Sequence, residues 1–555
     1  MKKNLFLTLL AACMFLCINA QNTPTCYRIS LTDKNNSPYS ISNPSAFLSD
    51  RAIAKRLRFN IPVTEQDLPI NPQYIQQIKD LDTTIRLLCV SKWMNTMTIY
   101  CPDSTRLPAI LALPFVSSIL PVAAYHLEDT ASEQPAIPPF DKSSMVYNPL
   151  RDPMGFYDYG EGYGQIALHN GHLLHQAGFT GEGMLIAVFD AGWNYVDSSY
   201  FFRRFFDEGQ LLGTRDLMPY SDYVFEGHSH GTLVTSTMAC EEEGFFVGTA
   251  PKAHFFLIRS EDPLFEQLIE EDFWAQAAEI ADSIGADVIN SSLGYTTFPD
   301  FPQGNYTCSD MDGNTSIASR AASLLGEKGI IACISAGNDG ENSWHYISHP
   351  CDATNVLAVG AADIYGNIAP FSSRGPSSDG RVKPDITSCG VETACIWPGD
   401  WQGTGNGTSL AAPVATGLCA CLWQALPNAT ATQVMQYVRE SASCYQQPND
   451  SLGYGIPDFF AAYTAHASDA VGTYKPTTLQ VFPNPCTDFF QIPNPQQDIT
   501  RVELFTITGK LVATHPNPSQ LIITFPVQDL PNGLYIGRVH HRNDQTKSFK
   551  ILSTR

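Results

Sequence analysis

At 555 residues the chain is long enough for about three or four domains, and with 44% hydrophobic residues, 11% aromatics, 39 Gly and 38 Pro its composition excludes wholesale disorder, a collagen-like repeat or a coiled coil. A net charge of -22, from 33 Lys+Arg against 55 Asp+Glu, sets nucleic acid and anionic lipid surfaces aside as partners. Residues 151–473 carry a net -27 while 474–555 carry +3, as expected of separate domains that present separate fields.

In chain order, Lys2-Lys3, the apolar run from Leu5 to Ile18 and Ala20-Gln21 read as a secretory signal peptide over residues 1–20. Leu10-Ala11-Ala12-Cys13 offers a competing lipoprotein signal with lipidation at Cys13, but the apolar run continues past that cysteine. Export permits disulfides, yet Cys419 and Cys421 lie in an apolar helix-like run and read as small core residues, and no pairing follows from spacing. No later run approaches the ~20 apolar residues of a membrane-spanning helix.

Residues 21–125 read as a compact α+β unit. Strands are predicted at Tyr27 to Leu31, Ile85 to Val90, Met97 to Tyr100 and Val116 to Val122, with helices at Ala46 to Leu57, Pro72 to Lys79 and Thr105 to Leu111. Residues 126–165 lack hydrophobic periodicity and carry Pro-Pro and several Gly, the composition of a linker. From 166 to 465 the pattern changes to apolar β runs at Leu185 to Phe189, Ala253 to Ile258, Val288 to Ser291, Ile330 to Ser335 and Val356 to Val359. Amphipathic helices fit between them, as at Phe273 to Ile284 and Ile317 to Gly326. Continuous Val/Ile-rich runs alternating with helices predict an α/β domain with a parallel sheet covered on both faces, whose chemistry sits at the carboxyl ends of the strands. Residues 474–555 hold only short strands and turns and read as a small β-sandwich.

Three turns of the α/β domain put a reactive side chain beside glycine: Val188-Phe189-Asp190-Ala191-Gly192, Gly227-His228-Ser229-His230-Gly231-Thr232, and Gly405-Asn406-Gly407-Thr408-Ser409-Leu410-Ala411. Acid, imidazole and hydroxyl are the parts of a nucleophilic triad. A serine hydroxyl needs a base to take its proton, and the base needs an acid to hold its tautomer. Ser335-Ala336-Gly337-Asn338-Asp339 follows a buried strand and offers the Asn338 carboxamide to a developing oxyanion.

These segments resemble the subtilisin-like serine proteases, whose triad runs in the order Asp, His, Ser. The resemblance rests on Asp-x-Gly at Asp190, His-Gly-Thr at His230, Ser292-Leu293-Gly294, Ala-Gly-Asn at Asn338 and Gly-Thr-Ser-x-Ala-x-Pro at Ser409. It is supported by Gly248 to Ala253, Phe371 to Pro376 and Lys383-Pro384-Asp385. It implies that Asp190 orients, His230 shuttles the proton, Ser409 attacks, Asn338 stabilises the oxyanion, and Ser292-Leu293-Gly294 binds an extended peptide substrate. Two departures stand out: Ala191 where Ser or Thr is usual, and Ser388-Cys389-Gly390 where Ala-Pro-Gly is common. The family also implies that the 21–125 unit is a propeptide domain.

Leu479 to Pro485, Val502 to Val512 and Leu530 to Tyr535 resemble the type IX secretion sorting domain. That implies passage through the periplasm to the outer-membrane surface or the medium of a gram-negative bacterium, with the type IX machinery as a partner. No cofactor is expected. His228-x-His230 lacks a third ligand, so no metal is expected there, and Asp310-Met311-Asp312-Gly313-Asn314 reads as a polar turn because no bidentate Glu closes a calcium loop. A structural calcium elsewhere stays open without assignable ligands. The competing function is a catalytically silent surface adhesin or binding module on a protease fold.

Overall fold

The computed structural model describes residues 23–124, 156–218 and 223–467, and in the C-terminal part 481, 484–494, 498–516, 522–542 and 546–554. The expected signal peptide, Cys13 and residues 126–155 of the expected linker lie outside them. The N-terminal unit is an antiparallel sheet of β1 (Cys26–Leu31), β2 (Arg86–Ser91), β3 (Thr96–Tyr100) and β4 (Val116–Ala123), in the order β2-β3-β1-β4. Its first α-helix, Asp50–Phe59, begins later than the apolar spacing predicts. The Ser49 side chain caps it, accepting the Ala52 N–H at 3.1 Å, and Pro44–Ala46 forms a separate 3₁₀ turn.

The middle unit is built on β5 (Leu185–Asp190), β6 (Leu211–Asp216), β9 (His254–Arg259), β10 (Val288–Ser291), β11 (Ile331–Ser335), β12 (Leu357–Ala362) and β13 (Ile386–Cys389). The short hairpin β7 (Glu241–Glu242) and β8 (Phe246–Val247) lies between β6 and β9. The seven long strands are all parallel, in the order β13-β12-β11-β10-β5-β9-β6.

Period-two alternation explains why every central strand reads as a continuous apolar run. Ile186, Val188, Val288, Ile331, Cys333, Leu357 and Val359 face one core, with the helices His230–Ala239, Thr408–Ala425 and Ala431–Glu440. Leu185, Ala187, Phe189, Ile289, Ala332, Ile334 and Ala358 face the other, with Glu270–Ile284 and Ile317–Leu325. The chain leaves β5 to build β9 and β6 on one side and returns to build β10 to β13 on the other. The strand order therefore reverses between β5 and β10, the place where open α/β sheets put their ligand crevice, outside the carboxyl ends of the strands.

Residues 156–165, read from sequence as the end of a linker, pack into this unit: Tyr159 is fully buried and its hydroxyl lies 2.9 Å from His175 Nδ1. Helix Glu270–Ile284 starts one turn earlier than its apolar period predicts, because Glu270, Glu271 and Asp272 fill its first turn where the helix dipole favours acid. No disulfide joins any two of the 13 cysteines among the described residues, and 11 of these are buried; Cys333 Sγ and Cys419 Sγ approach to 3.9 Å.

The N-terminal unit docks on helix Glu270–Ile284 through buried charge. Arg28 pairs with Asp272 at 2.6 Å, Arg56 bridges Asp67 at 3.0 Å and Asp282 at 2.8 Å, and Lys328 reaches Asp67 at 2.8 Å. Burial alone would raise the Asp67 carboxyl, but Lys328, the Thr64 N–H and Arg56 hold it down to about 2.

After hairpin β14 (Thr393–Trp397) and β15 (Trp401–Gly405), the C-terminal part forms β16 (Phe489–Pro493) paired with β19 (Ile522–Pro526). The sheet β18-β17-β20-β21 is built from β17 (Ile499–Thr506), β18 (Leu511–Pro516), β20 (Gly533–His541) and β21 (Thr546–Ser553). Phe490 and Phe525 of the first pair share one core with Val502, Leu504, Val539 and Phe549 of the second, so the two layers form a small antiparallel sandwich.

Candidate active site

Three neighbouring strands end side by side at this reversal: β5 in Asp190, β10 just before Ser292, and β11 three residues before Asn338. Asp190 is fully buried and accepts the Ala191 N–H at 2.8 Å. The main chain thus supplies a donor at the position where Ala191 brings no hydroxyl. His230 opens helix His230–Ala239, and its Nδ1 lies 2.9 and 3.0 Å from the two Asp190 oxygens. Close backbone packing fixes that start. The Gly231 N–H donates to Gly192 O at 3.1 Å, and a Cβ on Gly231 would meet that oxygen at 2.5 Å, so both glycines after the reactive residues are sterically required.

Burial works against a charged His230, but the adjacent Asp190 carboxylate outweighs it and raises the imidazole above its ordinary 6.5. His228 is pushed the other way, by burial first and then by His230. Its Nδ1 accepts the His230 backbone N–H at 3.2 Å, a local brace on the helix start.

Ser409 lies one residue into helix Thr408–Ala425, after Gly407 at φ 150°. Asn338 Oδ1 accepts both the Thr408 N–H at 2.9 Å and the Thr408 hydroxyl at 3.0 Å, while the Gly337 N–H donates to Thr408 Oγ1 at 3.2 Å. With its oxygen held this way, the Asn338 carboxamide turns Nδ2 toward the nucleophile loop. A Cβ on Gly407 would lie 3.7 Å from Ser409 Oγ and 3.8 Å from Asn338 Nδ2, so these two atoms border one small space that glycine leaves open. The Ser409 helix packs directly on the His230 helix.

Ser292 Oγ donates to the Ser409 carbonyl at 2.7 Å and itself receives Asn290 Nδ2 at 3.1 Å, tying the end of β10 to the same helix. Leu293 is buried and Gly294 is exposed, and the backbone then pairs with residue 349 through Tyr295 N–H to His349 O at 2.8 Å. The structure thus brings Asp190 to His230, and Ser409 to Asn338 and Ser292, at the carboxyl ends of neighbouring strands.

Thr408 was legible only as part of the Gly-Thr-Ser motif; its grip on Asn338 depends on a contact between residues 70 positions apart. Asp312 closes a turn by accepting the Asn314 and Thr315 N–H groups at 2.7 Å each. Among the described residues no three His, Cys, Asp or Glu side chains converge as metal ligands.

Residues 181–455 match the subtilase family, residues 26–136 the peptidase S8 propeptide domain of Bacteroidota, and residues 480–553 a secretion system C-terminal sorting domain. The chain is 29% identical to subtilisin E of Bacillus subtilis (strain 168) over 292 residues, 52% of this chain and 68% of that protein. It is 28% identical to subtilisin of Bacillus pumilus over 292 residues, 52% of this chain and 94% of that protein.

Proposed function

We propose, for a chain that belongs to the subtilase family and is a serine-type endopeptidase, that Ser409 is the nucleophile, His230 the base, Asp190 its orienting acid and Asn338 the oxyanion donor. His230 Nε2 takes the Ser409 proton as Oγ bonds to the scissile carbonyl carbon. The same imidazolium then protonates the leaving amine as the C–N bond breaks, and water repeats the sequence to free the acyl group. Asp190 stabilises the imidazolium without taking its proton. Asn338 Nδ2 donates to the oxygen as it becomes an oxyanion, and Ser292 to Gly294 align an extended peptide by strand addition. The observation that supports this reading most is the space beside Gly407, bordered by both Ser409 Oγ and Asn338 Nδ2.

The protein is exported, and its sorting domain and propeptide domain fit a secreted or surface-attached precursor. We assign the route to the periplasm followed by the type IX machinery of a gram-negative envelope, with the C-terminal sandwich as the address. The N-terminal unit is assigned the role of a folding helper that leaves on maturation, since a parallel α/β core with non-local pairing folds slowly. The test is a peptidase assay on Ser409→Ala. A fall of at least about 10³-fold in kcat is expected, because oxyanion donors and binding alone retain only a small part of the acceleration. Activity within tenfold of wild type overturns the assignment and favours a binding module on this fold.

A further inference from the structure

Helix Asp50–Phe59 of the N-terminal unit sets Arg51, Lys55 and Arg58 at i, i+4 and i+7, on one face. That face meets the carboxyl ends of two helices of the middle unit. At the end of helix Glu270–Ile284, the Ser49 N–H donates to Ser283 O at 2.8 Å, Arg51 Nε to Gly285 O at 3.1 Å and Lys55 Nζ to Ala286 O. At the end of helix Thr408–Ala425, Arg58 donates to Pro427 O and the Phe59 ring lies 5.9 Å from that of Trp423. A helix end leaves carbonyls without intrahelical partners and favours positive charge, yet neither helix has a basic residue in its own last turn. The N-terminal unit supplies those cations.

The same segment holds the starts of three strands. Arg51 donates to Gly183 O at 2.9 Å, two residues before β5, and pairs with Asp287, the residue before β10. Asp287 is itself a junction. Its Oδ2 accepts the Leu185 N–H at 2.9 Å, its N–H donates to Leu185 O at 2.9 Å, and its carbonyl accepts the Ile331 N–H at 3.0 Å, which ties the amino ends of β5, β10 and β11 together. The fit is close: a Cβ on Gly285 would meet Ala52 N at 2.7 Å, and one on Gly329, two residues before β11, would meet Ile61 Cδ1 at 2.6 Å.

The elements gripped here carry the candidate reactive residues at their opposite ends. β5 ends in Asp190, β10 leads to Ser292, β11 leads to Asn338, and helix Thr408–Ala425 opens with Thr408 and Ser409. With six residues in β5 and 18 in that helix, the segment stands about 20 Å or more from Asp190 and Ser409, too far to shield them.

We propose that residues 49–61 are a folding clamp, which gathers these four elements by the ends remote from the reactive residues and so sets their alignment, apart from any blocking of the site by the rest of the unit. The inference rests on the folding-helper reading of the N-terminal unit and gives that role to one segment. Leu185 and Asp287 are 102 positions apart, and joining such distant ends costs loop-closure entropy before any contact repays it. A short local helix that binds several of these ends at once lowers that cost.

The test measures refolding and unfolding rates of the full precursor by tryptophan fluorescence, in a Ser409→Ala background that keeps the chain intact. Arg51→Gln, Lys55→Gln and Arg58→Gln together remove the clamp's charge while keeping good helix formers. Refolding should slow by about tenfold or more with unfolding changed by less than about threefold, the pattern of contacts already made in the transition state. The control pair, Arg28→Ala with Glu279→Gln, strikes the same interface away from the strand starts: Arg28 holds Asp272, and Glu279 accepts the Lys92 and Trp93 N–H groups at 2.7 and 2.9 Å. That pair should leave refolding within about twofold of the background. Equal slowing in both sets overturns the clamp but keeps the folding-helper reading, whereas refolding unchanged in both overturns that reading as well. Faster unfolding with unchanged refolding in the triple variant also overturns the clamp, since the segment would then only hold the finished fold. If the triple variant does not reach the folded state, Arg51→Gln and Arg58→Gln are measured singly, and refolding as fast as the background in both overturns the proposal.

Discussion

His230 carries the sharpest consequence at the scale of single residues. A general base must be neutral to accept the Ser409 proton, and the Asp190 carboxylate holds the imidazole above its ordinary 6.5. Activity should therefore rise with pH along a limb whose midpoint lies above 6.5, since the protonated ring below it cannot act. A kcat/KM profile with its acid limb below 6.5 would contradict this. Asn338→Leu should lower kcat by about 10² to 10³ with little change in KM, because the carboxamide meets the oxyanion and not the ground-state carbonyl; an effect confined to KM would assign it to substrate binding. Asp190, His230, Ser409 and Asn338 were legible because each stands beside glycine at a strand end or helix start. Thr408 was not, since what matters about it is a partner from a distant part of the chain.

Elements were legible where burial made them uniform. Strands β5, β9, β10, β11 and β12 were expected from their continuous apolar runs, whereas β6, half exposed at the sheet edge, and β13, whose Ile386-Thr387-Ser388-Cys389 sets hydroxyl side chains between apolar ones, carry too little pattern to stand out. The docking of the N-terminal unit on helix Glu270–Ile284 was equally hidden, because ion pairs between residues more than 200 positions apart leave no local signal. Arg56 is 2% exposed between Asp67 and Asp282, and removing one partner of such a buried cluster costs on the order of 3–5 kcal/mol. Arg56→Ala in the precursor should loosen helix Glu270–Ile284, read as faster amide exchange there than in β10 and β11; unchanged exchange would mean the ion pairs do not hold the unit. The Asp67 contribution is fully present above the ordinary aspartate value and is lost as pH falls through about 2.

At the scale of the whole molecule, the division into an acidic body and a slightly basic tail is visible in charge alone, and the C-terminal sandwich has its own core and holds none of the candidate catalytic residues. Deleting residues 474–555 should therefore leave an active enzyme that is retained in the periplasm, measured by assaying each cell fraction; wild-type amounts in the medium would remove the sorting role. The central claim is that one hydroxyl, on Ser409, is activated by His230 and Asp190. The most direct measurement is fluorophosphonate labelling of the mature protein followed by peptide mapping. A single tag on Ser409, absent from Ser409→Ala and strongly slowed in His230→Ala, is the predicted result; a tag on another residue, or none on protein that is folded and mature, would contradict it.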